Sequence, residues 1–143
     1  MLELTATGCA GIFAGAAVYT TIVQHPAAAA LGTPAAVQFF RRMYDRAAPM
    51  QVSLALVGSL AALAAWWSGS GRLWLLGACL LSFSIPFTLL VILPTNRRLQ
   101  DPTLDLSSAE AAELLARWGR RHAVRSIASM SSFVVFLTAS AGC

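Results

Sequence analysis

Few residues in this chain can do chemistry, and they fall at matching points along it. His25 is followed by Pro26; Thr88 and then Asn96-Arg97-Arg98 come later, and Trp118, His122 and Arg125 follow those. The last three are spaced i, i+4 and i+7, so on a helix they share one face. An unperturbed imidazole exchanges protons near neutral pH, which suits it to acid–base work. Asparagine and arginine supply hydrogen-bond donors for a developing oxyanion, and an indole offers its face to a planar ring. Two neutral imidazoles on neighbouring helices can instead hold a metal or haem iron. No cysteine or carboxylate is well placed to complete such a site.

The elements that must position these groups follow from composition. Of 143 residues, 57% are hydrophobic and 11% are charged, against about 25% charged in an ordinary soluble domain. That leaves too little charge to solvate a globular surface. Four apolar runs, at about residues 2–23, 47–67, 72–93 and 123–141, each approach the roughly 20 residues that a membrane helix needs. Backbone groups in lipid must be satisfied internally, so the runs are read as helices. The predicted fold is an all-α membrane four-helix bundle forming a single domain over residues 1–143. The N-terminal run lacks a basic leader and is long enough to stay as a span, so no cleavable signal is expected.

The connections differ in kind. Ser68-Gly69-Ser70-Gly71 is a minimal turn, which makes spans two and three antiparallel neighbours. The first connection opens with His25-Pro26, where proline disfavours helix at the residue before it. Beyond Thr33-Pro34, Val37, Phe39, Phe40, Met43 and Tyr44 alternate with Gln38, Arg41, Arg42 and Arg46. That pattern predicts a short amphipathic helix lying at the interface. In the last connection Ser107-Ser108-Ala109-Glu110 reads as a helix cap with an acidic first turn, so the fourth helix should begin near Ser108 and run on into its span. All ten basic residues are arginine, and only Arg72 is away from the first and third connections. The positive-inside rule then puts both long connections in the cytoplasm and both termini outside. Arginine- and alanine-rich usage points to a GC-rich bacterial genome, hence to a bacterial cytoplasmic membrane.

Ordinary roles stand beside the chemical ones. Arginines at helix ends snorkel to headgroups, which is the reading for Arg41, Arg42, Arg98, Arg117, Arg120 and Arg121, and Trp118 can serve as an interfacial anchor. Arg125 differs, because it lies within the fourth span, where an ionisable group is a functional hypothesis by default. Cys9, Cys79 and Cys143 form no CxxC pair and read as small packing residues, although Cys9 and Cys79 could pair if their helices met. Gly8, Gly11, Gly15 and Tyr19 form a stripe that fits close packing against a neighbouring span or a second subunit, so a homo-oligomer stays open. Antiparallel spans bring His25, Thr88, Asn96, Trp118, His122 and Arg125 to one end, which predicts a polar pocket there.

The order Gly11-Ile-Phe-Ala-Gly15, His25-Pro26, Pro86-Phe87-Thr88, Ile92-Leu-Pro-Thr-Asn96-Arg97 and Trp118-Gly-Arg-Arg-His122-Ala-Val-Arg125 resembles the anthrone oxygenase-like proteins, small four-span membrane proteins. The resemblance implies a cofactor-independent monooxygenase that oxidises an electron-rich phenolic or aromatic ketone with O2, forming a quinone. It makes His122 the first choice of base and His25 the alternative, with Asn96, Arg97 and Arg125 as oxyanion donors. Trp118, Thr88, Tyr19 and Gln51 become candidate substrate contacts. The expected partners are an apolar aromatic molecule, O2 and membrane lipids, not nucleic acid. No cofactor is expected, with a metal or haem held by His25 and His122 as the alternative. The competing function is a non-catalytic subunit that binds lipid or a partner protein at its polar end.

Overall fold

A computed structural model describes residues 1–142, so Cys143 lies outside the described residues. The chain is all-helical, with no strand among the described residues. Four helices are long and apolar enough to cross a membrane: α1 (Leu2–Ala30), α2 (Thr33–Trp67), α3 (Arg72–Gln100) and α4 (Ala109–Ala141). They form a ring in which α1 touches α2 and α4, and α3 touches the same two from the opposite corner. At 1.5 Å per residue even the shorter pair measures about 43 Å, against about 30 Å for a hydrocarbon core. The bundle therefore has an extension at one end, and the apolar runs mark only the part of each helix furthest from it.

Three departures from the sequence reading have physical causes. Proline was expected to stop the helix at His25; instead α1 widens to a π turn over Thr20–Gln24 and continues, with the His25 amide bonded to the Thr20 carbonyl. The same device precedes Pro94, where Thr88–Ile92 form a π turn and the Leu93 amide bonds the Thr88 carbonyl. Proline has no N–H to give and its ring crowds the carbonyl four residues back, so a wider turn just upstream relieves both problems. The amphipathic segment after Thr33 is helical as expected, but it is the first part of α2 and enters span two without a break. The first connection shrinks to Leu31-Gly32, with Gly32 at φ +91°, a conformation open to glycine at little cost.

The bundle has two cores. Away from the polar end, α1, α2 and α3 meet mostly through alanine, with Trp74 stacked on Phe136 at 5.2 Å. In the extension, Val37, Phe40, Leu99, Leu104, Leu115 and Trp118 form a core of larger side chains. Arg41 donates to the carbonyls of Leu99 (2.8 Å) and Asp101 (2.6 Å), closing the end of α3. Arg98 pairs with Glu110 at 2.6 Å and with Asp101 at 2.8 Å. The Thr103 hydroxyl and amide, ahead of Arg98, hold the Asp101 carboxyl below the usual carboxylate range. Ser108 caps α4 as predicted, accepting from the Ala111 amide at 3.1 Å. Several arginines assigned to headgroups are thus tied into the protein, Arg41 and Arg98 by these bonds and Arg117 and Arg120 by Glu113.

The glycine stripe on α1 is not the packing face. Ala6, Ala10, Phe13, Ala14 and Ala17 turn inward, while a Cβ at Gly8 or Gly15 would meet nothing; only Gly11 abuts a neighbour, Phe133. Cys9 and Cys79 are free thiols.

Candidate functional site

The site is built from the inner faces of all four helices where the two cores meet. On α4 the predicted face is real: the Trp118 and His122 rings stack at 4.7 Å, and both residues are buried. Arg125, one turn on, reaches across the bundle. One terminal nitrogen lies 3.3 Å from the Thr88 hydroxyl of α3, and the other bonds the Gln51 side-chain oxygen of α2 and lies 3.2 Å from His122 Nε2. The guanidinium also sits 5.4 Å from the centre of the Phe13 ring of α1, a cation–π distance. Among the described residues no carboxylate pairs with it. A buried cation without a counter-ion is costly unless other groups solvate it, and here dipoles and a ring face do so.

A cavity of about 260 Å³ adjoins this cluster, with His122, Arg125, Asn96, Gln51, Thr88 and Trp118 among its lining residues. That is roughly twenty times the space one buried water needs, enough for a ligand with fused rings. Its walls are largely apolar, with Phe13, Met43, Tyr44, Ile85 and Ile92 prominent. Three polar atoms here have no hydrogen-bond partner within the protein: Asn96 Oδ1, Ser84 Oγ and Arg125 Nε. Native proteins seldom leave buried polar atoms unpaired, so an acceptor and a donor wait at the edge of an apolar space. Val52 and Leu89 line the cavity yet are about half exposed. The cavity therefore reaches the outer surface between α2 and α3.

Six of the residues singled out in the sequence thus converge: His122, Arg125, Asn96, Trp118, Thr88 and Gln51. Three do not. Arg97 is exposed, because after the π turn Thr95, Asn96 and Leu99 take the inward face of α3 and the residue next to Asn96 is rotated about 100° away. Tyr19 is 55% exposed, two residues past the inward Ala17 and so on the outer side of α1. His25 lines a separate small cleft, its ring 5.3 Å from Trp118. A Cβ on Gly119 would lie 2.5 Å from His25 Nε2, so the imidazole is packed directly on the α4 backbone.

Sequence reasoning missed Thr21, Ser126, Ser84 and Arg121. Thr21 Oγ1 lies 3.0 Å from His122 Nδ1 and 2.7 Å from Ser126 Oγ. Ser126 could have been found, because it stands four residues beyond His122 and continues its face to Ser129. Thr21 could also have been found, because it stands four residues beyond the inward Ala17 and so continues that face. Arg121 donates to the Val91 carbonyl at 2.8 Å and the Thr95 hydroxyl at 2.7 Å, so it braces the second π turn.

The geometry is thus an apolar cavity that ends in a histidine and a part-buried arginine without a carboxylate partner, inside a bundle of four helices with apolar outer faces. The chain belongs to the anthrone oxygenase family, whose model matches residues 40–135. It is also 31% identical to Anthrone oxygenase tpcL of Aspergillus fumigatus over 145 residues, covering 94% of this chain and 90% of that protein. No solved structure matches.

Proposed function

We propose that this protein is a membrane-embedded oxygenase that converts a planar phenolic ketone of the anthrone type to a quinone with O2. The observation that carries this reading is Arg125, a part-buried guanidinium with no carboxylate partner among the described residues, facing the same apolar cavity as His122. Such a cation is complementary to an enolate rather than to a neutral ketone, so it favours the charge that develops during reaction. As the ketone oxygen draws the Arg125 guanidinium to itself, His122 Nε2 is released to take a proton from the ring methylene, and the electron pair moves to that oxygen. The enolate passes electrons to O2 and a carbon–oxygen bond forms; protonation gives a hydroperoxide. Loss of the second hydrogen from that carbon as a proton breaks the O–O bond. The products are a second carbonyl and water. One substrate methylene and one O2 give one carbonyl and one H2O.

We read this chemistry as cofactor-independent, because these residues fit a metal or haem poorly. His25 lines a different cleft from His122, its Nε2 is packed against the α4 backbone at Gly119, and among the described residues no group of three His, Cys, Asp or Glu gathers to hold an ion. The gap beside Val52 and Leu89 suits entry of an apolar ring system from the bilayer. The arginine-rich extension supports placing the polar end on the cytoplasmic side; Ser70→Cys should then be labelled by an impermeant thiol reagent from outside.

Oxygen uptake by protein in lipid nanodiscs tests the reading, with a panel of anthrones and hydroquinones. We expect quinone and consumed O2 in equal amounts from a colourless, metal-free preparation, and no turnover from folded His122→Ala. Folded wild-type protein that consumes no oxygen across the panel would falsify the assignment and favour a non-catalytic binding subunit.

A further inference from the structure

The proposed base needs its lone pair on the right nitrogen, and the hydrogen-bond pattern around His122 decides which one that is. A guanidinium carries donors only. Arg125 lies 3.2 Å from His122 Nε2, so Nε2 must be the acceptor, and in a neutral imidazole the proton then sits on Nδ1. Two hydroxyls face Nδ1: Thr21 Oγ1 at 3.0 Å and Ser126 Oγ at 3.5 Å. Thr21 is the only one of the two at a good hydrogen-bond length. Its own hydrogen has two further acceptors, the Ala17 carbonyl at 3.0 Å and Ser126 Oγ at 2.7 Å. The Ser126 hydroxyl in turn reaches the Ala17 carbonyl at 2.9 Å. The Thr21 oxygen is thus free to accept from the imidazole while its hydrogen is held elsewhere.

We propose that Thr21 is a positioning residue: it accepts from His122 Nδ1–H, holds the ring in place, and complements Arg125 on the other nitrogen in setting the tautomer. A histidine base oriented by a third group is a recurring arrangement, and here a hydroxyl on a different helix takes the place usually held by a carboxylate. Ordinary helix geometry makes it possible, since neighbouring residues point about 100° apart. Thr20 and Thr21 are neighbours, yet Thr20 lines the cavity and Thr21 reaches α4. The inference rests on the proposed role of His122 as base.

The test is Thr21→Val, which keeps the shape and removes the hydroxyl, against Thr21→Ser, which keeps the hydroxyl. Nitrogen-15 NMR of protein labelled at histidine reads the tautomer without any turnover. We expect wild type and Thr21→Ser to show one protonated and one bare ring nitrogen for His122, identified by its loss in His122→Ala. Thr21→Val should move the Nδ1–H signal toward that of an N–H without an acceptor, while Nε2 stays bare beside Arg125. In oxygen uptake Thr21→Val should lose about 10- to 100-fold in kcat with little change in KM, a part of what a general base contributes, and Thr21→Ser should stay within about threefold of wild type. In a His122→Ala background Thr21→Val should cost nothing further. An unchanged nitrogen spectrum in Thr21→Val overturns the positioning role. A changed spectrum with full activity in both Thr21→Val and His122→Ala would leave the Thr21 hydrogen bond standing and remove His122 as the base.

Discussion

The two halves of this bundle solve the same packing problem in opposite ways. Far from the polar end, alanine and glycine let the helices touch, and Gly77 leaves only enough room for the Phe136 ring. At the polar end the contacts come from Phe40, Leu99, Leu115 and Trp118, and the helices hold a cavity between them. Both halves contain buried polar atoms without partners in the protein, Thr7, Ser59 and Trp74 in the first and Ser84, Asn96 and Arg125 in the second. In the second half they border a space large enough for a ligand. Unpaired polar atoms therefore mark a site only where the packing also leaves room. Close helix approach buys rigidity in one half so that the other can stay open.

The sharpest way to separate the halves is to remove the unpaired charge. Arg125→Met keeps the side-chain length and deletes the cation, the Thr88 contact and the Gln51 bond. We expect kcat for oxygen uptake to fall by about 100-fold or more, the scale of losing an oxyanion donor, with thermal stability unchanged or raised because a buried charge has been relieved. The converse change is Gly77→Leu in the alanine half. Its Cβ would overlap the Phe136 ring, and overpacking of that kind costs about 1–3 kcal/mol. Thermal unfolding in detergent should fall accordingly, while the kcat of protein that remains folded stays near wild type. A large loss of kcat in Gly77→Leu would mean that the two halves are coupled rather than separate.

How much of this was legible in the sequence depends on whether helical periodicity survived. On α4 it did, and Trp118, His122 and Arg125 share a face as their spacing requires. The four apolar helices, the Ser68–Gly71 turn and the Ser108 cap were legible for the same reason, because each is a local pattern. On α3 the inward face also survives the π turn, since Leu81, Ile92 and Leu99 are all buried and recur close to one direction at about 100° per residue. Asn96 falls beside that face and Arg97 about 100° further round, while Thr21, four residues past Ala17, was legible by the same spacing. The arginines misled for another reason. Position along a helix does not distinguish a headgroup contact from Arg41 capping α3 or Arg121 bonded to the Val91 carbonyl.

The opening between α2 and α3 gives a prediction of intermediate size. Leu89 is 56% exposed and lines the cavity, so Leu89→Trp should narrow the gap without disturbing the buried core. We expect KM for an apolar ring substrate to rise several-fold, on the order of 1 kcal/mol of lost binding, with kcat and unfolding temperature little changed. A matching substitution at Leu90, which is 77% exposed and does not line the cavity, should leave KM alone. Equal effects at both positions would place the entry elsewhere.

The smallest expected effects are the most informative about the π turns. Asn96 and Arg97 are adjacent, and by residue type Arg97 is the stronger candidate for an oxyanion donor. The structure buries Asn96 beside the cavity and leaves Arg97 exposed. Asn96→Leu should therefore cut kcat/KM, whereas Arg97→Ala and Tyr19→Phe should stay within about twofold of wild type, as exposed substitutions away from a site generally do. If Arg97→Ala proved the more damaging, α3 would be turned by about one residue during catalysis relative to the arrangement seen here, roughly the 100° that separates neighbours on a helix. The widened turn at Thr88–Ile92 is the segment that would have to relax to allow it.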